Sequence, residues 1–355
     1  MSTLSVSFGP KPRDELAAWS DAPLSESAPA PFPGYDAPSP DGEVHLVGGT
    51  GVFVRRTPGP AGGPAAWYVH GLEGASGNWD RLAAALSHVS DGYAPDLPGS
   101  GRSDPPPRGR FSITGEADLM ARLIERVSGG PVHLVGNSRG GVVATFLAAR
   151  RPELVRTLTL ISPAVPDLRL VGERGADPKL GLVMLPGMAR YAERQLESIS
   201  PAVRARGIAA ACFGEPEVLT APDLAAAEQE FARRAALPWT HPSTVQSLRS
   251  LIRAQLRPGR WSFAAAARAV RIPVLVVWGT RDRLVDVRLA PRTVRAFPDA
   301  RLLVLPRTGH VAQMERPAET ARAMMALWDS AARTDGGAGS VSGAPRPVTA
   351  SAVAT

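Results

Sequence analysis

The apolar run Val132-His133-Leu134-Val135 stops in Gly136-Asn137-Ser138-Arg139-Gly140-Gly141, and a helical pattern begins at once in GGVVATFLAARRP (140–152). No other stretch limits the fold as much. A strand that ends in glycines around a lone serine makes a sharp turn, and a helix directly after it makes the strand one member of a parallel sheet. The rest of the chain repeats that alternation. EVHLV (43–47) and GVFVRR (51–56) read as an antiparallel opening pair. AAWYVHG (65–71), YAPDLPG (93–99), VRTLTLISP (155–163), IPVLVVWGT (272–280) and ARLLVLP (300–306) read as further strands. WDRLAAAL (79–86), ITGEADLMARLIERV (113–127) and PAETARAMMALWDSAA (317–332) carry helical spacing. Near-continuous apolar strands alternating with helices predict an α/β fold: a mostly parallel central sheet with helices on both faces.

The alternation lapses from about 165 to 270, where MARYAERQLESI, DLAAAEQEFARRAAL and STVQSLRSLIRAQL are helical without strong strands. The expected organisation follows. Residues 1–42, rich in Pro, Ser, Ala and Asp, form an extended or partly ordered arm. Residues 43–164 and 271–333 form the α/β core, 165–270 a helical cap over its ligand-binding edge, and 334–355 a disordered tail.

Composition excludes several classes. With 44% hydrophobic and 21% charged residues the chain is globular. Its +7 charge is nearly all arginine, scattered and without a basic run interleaved with aromatics, so no nucleic-acid partner is expected. One cysteine, Cys212, precludes an intrachain disulfide and a multi-cysteine metal site; in GIAAACFGE it reads as a small buried hydrophobe. No basic segment followed by an apolar core opens the chain, and no apolar run approaches a membrane span, so the expected location is cytoplasmic. No metal and no cofactor are expected. The expected partner is a small-molecule substrate, and a homodimer is left open.

The turn after a parallel strand lies at the carboxyl edge of the sheet, where ligands bind in open α/β folds. There a serine can serve as nucleophile if a base and an orienting acid reach it. Alone, Gly-Asn-Ser-Arg-Gly-Gly is equally a structural turn. Among six histidines, His45 and His133 lie within strands, His88 follows a helix, His241 lies in the cap and His70 precedes the serine. His310, in LPRTGHVAQMERP after the last strand, is the favoured base. Asp282, directly after the strand in VVWGTRDRLV, is the favoured acid, with Asp167 as runner-up and a turn or helix cap as its structural alternative. The turn His70-Gly71-Leu72-Glu73-Gly74 offers backbone N–H groups beside the serine. The amides of Leu72 and Arg139 would then form an oxyanion site, with both side chains free to vary and Glu73 solvated or shaping the pocket.

HGLEGASGNW (70–79), DLPGSGRSD (96–104), GNSRGG (136–141), WGTRDRLV (278–285) and GHVAQMERP (309–317) together make the chain resemble the α/β-hydrolase superfamily over about 45–165 and 270–333. The resemblance implies Ser138 as nucleophile, Asp282 as acid and His310 as base. Ser138 stands where dehalogenases and epoxide hydrolases of the superfamily carry aspartate, which argues against both. Arg139 stands where its prolyl aminopeptidases carry tryptophan. The pattern HGxxGAS with GNSxGG is similar to hydrolases of carbon–carbon bonds in ring-fission products, but Leu72-Glu73-Gly74 replaces their Gly-Pro-Gly. The leading expectation is a carboxylic ester hydrolase for a small to medium apolar acyl group. A carbon–carbon hydrolase, a cofactor-free haloperoxidase and a low-turnover receptor stay open. Candidate pocket residues are Glu73, Met184, Met188, Phe213 and Trp239, which serve equally as cap core.

Overall fold

The computed structural model describes residues 13–167 and 178–338. Its strands are β1 (Gly42–Val47), β2 (Thr50–Thr57), β3 (Ala65–Val69), β4 (Asp91–Pro95), β5 (Val132–Asn137), β6 (Val155–Ile161), β7 (Val274–Gly279) and β8 (Ala300–Leu305). They form one eight-stranded sheet in the order β1-β2-β4-β3-β5-β6-β7-β8. β1 and β2 are antiparallel, as are β2 and β4; every other neighbouring pair is parallel. The chain reverses its direction of travel across the sheet at β3, and the loops after β3 and β5 become neighbours there (Val69 pairs with Gly136).

Both faces are covered, which is why the central strands are apolar at nearly every position. β5 and β7 are buried throughout. Leu134 and Val276 point into a core shared with α2 (Ile113–Ser128) and α3 (Arg139–Arg150), whereas Val135 and Val277 point into a second core with α1 (Asp80–Ala85) and α11 (Pro317–Ala338). Each fully buried Val or Leu contributes about 1.5–3 kcal/mol of transfer free energy. α2 shows local sequence control. The Ser112 hydroxyl accepts the Gly115 N–H to start the helix, and Gly129 at φ 65° stops it.

Between β6 and β7 the described residues include four longer helices, α4 (Met188–Glu197), α5 (Pro201–Cys212), α6 (Ala221–Ala235) and α7 (Thr240–Gln255). α8 (Phe263–Ala269), also within the segment expected to be cap, packs on α3 through buried Phe263, Ala266 and Ala267 and so adds to the core. Two short helices, α9 (Ala290–Val294) and α10 (Ala312–Glu315), flank β8. α11 continues to Ala338, past the expected boundary at 333; the remaining tail, 339–355, lies outside the described residues, as do 1–12 of the arm. No helix among the described residues is long and apolar enough to cross a membrane.

The arm from residue 13 onward is docked on the core. β8 is an edge strand, and the arm occupies its open side. The Leu302 carbonyl accepts the Asp21 and Ala22 amides, the Asp21 carboxylate accepts the Leu302 N–H at 2.6 Å, and Ser20 both donates to the Val304 carbonyl and accepts the Val304 N–H. An unpaired strand edge is a template for association with another chain. Deleting residues 1–41 is therefore expected to leave secondary structure intact but to give concentration-dependent association in light scattering. A monodisperse, equally soluble truncation would show that the arm does not protect this edge.

Candidate active site

β5 enters the turn through Gly136 and Asn137, and Ser138 is held at φ 53°, ψ −118°. A non-glycine residue so placed costs roughly 1–3 kcal/mol and persists only where its surroundings enforce it. The enforcement is visible. The Ser138 N–H donates to the Ile161 carbonyl at 3.0 Å, and the Ser138 carbonyl accepts the Gly141 and Ala164 amides. A Cβ on Gly140 would overlap the Val69 and His70 carbonyl oxygens, so α3 can start this close to β3 only with glycine there. Ser138 itself is half-buried.

The loop after β3 lies against this turn. A Cβ on Gly71 would stand 3.1 Å from Ser138 Cβ, so the backbone passes close to the serine here. His70 is buried. Its Nε2 accepts the Leu97 N–H at 2.9 Å, and its Nδ1 lies 2.7 Å from the Gly71 carbonyl oxygen and donates to it. Burial holds its imidazole down at about 4, so it is neutral and splints this loop to the turn after β4. His133 is likewise buried, against Thr157 and stacked on Trp328, with burial pushing it down to about 3. His45 lies on β1, His88 is exposed and His241 is in the first turn of α7.

His310 follows β8, and its Nδ1 lies 2.8 Å from Asp282 Oδ2; both residues are buried. Asp282 Oδ1 accepts the Leu284 and Val285 amides, each at 2.9 Å, so Asp282 is at once a turn residue and the partner of the imidazole. Trp278 fixes that turn by donating to the Val285 carbonyl. Asn137, next to Ser138, donates to the Ile161 carbonyl at 3.1 Å and to the His310 carbonyl at 3.0 Å. One side-chain amide thus ties together the ends of β5 and β6 and the loop that carries His310. The pairing of Asn137 with a residue far along the chain has no sequence signal.

Glu315 has no sequence signal either. Its two carboxylate oxygens accept the Gly309 and Gly214 amides at 2.8 Å each, joining the His310 loop to the inserted segment. The His310 N–H donates to the Cys212 carbonyl at 2.6 Å, and burial pushes the Cys212 thiol up to about 12, consistent with an inert cysteine. Behind the Asp282–His310 pair, the Asp14 carboxylate accepts from Thr280, Arg281 and the Arg307 amide. Glu215 accepts from Arg281 and Arg307.

Two expectations need correction. The Arg139 side chain is not free to vary: it is 1% exposed and paired with Glu116 of α2, itself fully buried. Burial raises the Glu116 carboxyl while Arg139 beside it opposes that shift. Glu73 is not solvated. It sits at φ 60°, pairs with Arg204 of α5, and its carbonyl accepts from Arg234 of α6 at 2.8 Å. Both partners lie more than a hundred residues away, so the motif around Glu73 could not reveal them. Glu73, Arg204, Arg234, Phe231, Thr240 and Thr244 line a narrow cleft between the insertion and the loops after β3 and β4. Of the pocket candidates, Glu73 is on its wall. Met184, Met188 and Trp239 are half-buried in the insertion, and Phe213 is buried edge-on to Tyr35 beside the His310 loop. Among the described residues no cluster of His, Cys, Asp or Glu is arranged to hold a metal ion.

With this geometry in place, comparison with known proteins gives a family. The α/β-hydrolase fold family matches residues 68–317, and the chain belongs to it. An uncharacterised protein of Mycobacterium tuberculosis is 30% identical over 272 residues, 72% of each chain. Lipase LipV of the same organism is 40% identical over 107 residues, 30% of this chain and 40% of that one. A solved membrane phospholipase A superposes with a TM-score of 0.68 at 24% identity, covering 82% of this chain and 86% of the other.

Two outcomes test the buried charges around the site. Glu116→Ala leaves the Arg139 guanidinium buried and unpaired and is expected to cost about 3–5 kcal/mol in urea unfolding, with the double substitution Glu116→Leu/Arg139→Met recovering most of it. An unchanged midpoint for Glu116→Ala would remove the pair from the account. Burial pushes Glu315 up to about 7 against the two amides that hold it down. The folded state therefore binds an extra proton between the ordinary 4.5 and about 7, and stability relative to Glu315→Gln falls as pH rises through that window, by up to a few kcal/mol. A wild-type minus Glu315→Gln difference that is flat with pH would refute the shift.

Proposed function

We propose that the protein is a serine hydrolase that cleaves carboxylic esters through an acyl-enzyme, with Ser138 as nucleophile, His310 as base and Asp282 as orienting acid. The observation that carries the reading is the buried Asp282–His310 pair held to the strained Ser138 turn by Asn137. A serine hydroxyl is a weak nucleophile at neutral pH and needs an adjacent base. Because Nδ1 of His310 faces Asp282, Nε2 is the nitrogen left for the Ser138 proton. Asp282 keeps that tautomer and stabilises the imidazolium once it forms.

Ser138 attacks the ester carbonyl while His310 takes its proton. The developing oxyanion is received by the amides of Leu72 and Arg139. The Arg139 N–H opens α3 and has no acceptor within the helix, and the helix N-terminus adds its own partial positive charge. Each such donor is worth about 2.7–4 kcal/mol in the transition state. His310 then protonates the leaving alcohol, and water repeats the sequence on the acyl-enzyme. The helices between β6 and β7 act as a cap, closed onto the oxyanion loop by Arg204 and Arg234 at Glu73. The cleft under them is walled by charged and hydroxyl side chains with Phe231 as its one aromatic. A substrate that extends from Ser138 into this cleft would be a small to medium ester with a polar portion on the cap side. The match to a lipase agrees with ester chemistry.

Hydrolysis of p-nitrophenyl acetate, butyrate, octanoate and laurate tests the reading. Ser138→Ala is expected to lower kcat by about five to six orders of magnitude, and Asp282→Asn by about 10⁴ with the fold unchanged. Wild-type turnover no greater than that of Ser138→Ala on all four esters would sink the esterase reading.

A further inference from the structure

Phe32-Pro33-Gly34-Tyr35 lies in the arm, which composition marks as a poor core former. In the fold it is built around one guanidinium. Arg81 of α1 lies 5.0 Å from the centre of the Phe32 ring and 4.1 Å from that of Tyr35. Its Nε donates to the Pro33 carbonyl at 3.1 Å, and its Nη1 donates to the Met314 carbonyl at 2.6 Å. The Tyr35 hydroxyl donates to that same Met314 carbonyl at 3.0 Å, and the Tyr35 ring meets Phe213 edge-on with centres 5.8 Å apart. We propose that Tyr35 is a positioning residue that holds the His310 loop and the end of α5 in register with each other. The proposal rests on the roles given above to Ser138, Asp282 and His310.

The hydroxyl acts on the side of the base. α10 is a single turn, too short to be stable by its own hydrogen bonds, and the last carbonyls of a helix have no partner within it. Tyr35 and Arg81 supply the donors that the Met314 carbonyl needs. Burial raises the Tyr35 phenol above its ordinary range, against the opposing charge of Arg81, so it keeps the proton it donates. The residue after Met314 is Glu315, whose carboxylate accepts the Gly309 and Gly214 amides. A displacement of α10 therefore moves the residue before His310 and the residue after Phe213 together.

The ring acts on the side of the insertion. Phe213 is buried against it, directly after α5. The carbonyl of Phe213 accepts from Arg283, the neighbour of Asp282, at 3.1 Å, and the carbonyl of Cys212 accepts the His310 N–H. Residues 212–214 thus touch the base loop, the acid loop and the arm. They do so without slack: a Cβ on Gly309 would overlap the Cys212 carbonyl oxygen, and one on Gly214 would stand 2.7 Å from the Gly309 nitrogen. Close packing of this kind passes a shift of one segment on to the next. The two ends of one side chain therefore hold the two sides of the junction, and substitution can separate them.

Tyr35→Phe removes the hydroxyl and keeps the ring; Tyr35→Ala removes both. On p-nitrophenyl butyrate, Tyr35→Phe is expected to lower kcat about three- to tenfold with KM unchanged. Tyr35→Ala is expected to lower kcat at least as far and to raise KM as well. Cys212, the single cysteine of the chain, reports the junction without any substrate. Its thiol is held up at about 12 by burial, so alkylation by iodoacetamide is slow in the wild type. The rate is expected to stay slow in Tyr35→Phe and to rise about tenfold or more in Tyr35→Ala. Ser20→Ala loosens the arm at β8 instead and is expected to keep wild-type kcat, KM and alkylation. Wild-type kinetics in both Tyr35 variants, even with a lowered melting temperature, would overturn the proposal, as would a Ser20→Ala that behaves like Tyr35→Ala. Should the wild type cleave no ester, the ester reading fails separately and alkylation decides: a wild-type rate in Tyr35→Ala removes the role of Tyr35.

Discussion

The distance between the first turn of α3 and the end of β3 is the constraint on which the rest of the site depends. Glycine at position 140 lets the helix start against the Val69 and His70 carbonyl oxygens, and this forces Ser138 into its strained conformation. Everything proposed for Ser138 follows from that approach. The amide after the serine is left at a helix N-terminus, and the loop after β3 passes so close that a Cβ on Gly71 would stand 3.1 Å from Ser138 Cβ. The conformation is unfavourable in isolation, so the packing of β3, β5 and α3 must supply what holds it.

Asp282 and His310 depend on a different device. The two loops that carry them leave neighbouring parallel strands, but adjacency alone would not fix an imidazole. Asn137 holds the His310 carbonyl from one side, Glu315 holds the Gly309 amide from another, and the Cys212 carbonyl takes the His310 N–H. Behind them, Asp14 of the arm bridges Thr280, Arg281 and Arg307. Burial alone would raise Asp14, but the hydrogen bonds from Arg281, Thr280 and Arg307 hold its carboxyl down at about 2. The exposed ion pairs of this cluster each contribute little stability. Their larger effect is geometric, because arm, core and insertion all meet behind one imidazole.

The insertion presents charge to the loop after β3, where its helical pattern suggested methionine and tryptophan. Arg204 and Arg234 reach Glu73 from two different helices, and the cleft they enclose is polar.

The sequence by itself determined the sheet, its covering helices, the turn at Ser138 and the order in which the Ser138, Asp282 and His310 loops follow their strands. Those features rest on local signals: apolar runs of strand length, helical spacing, and glycines where the backbone must turn sharply. Only the tertiary structure decided which charges are buried and with whom. Arg139 finds Glu116, Glu73 finds Arg204, and Asp14 finds Arg281, across separations for which the sequence carries no periodicity. It also decided that the proline-rich arm lies along β8, because the unpaired donors and acceptors of an edge strand exist only once the sheet has formed.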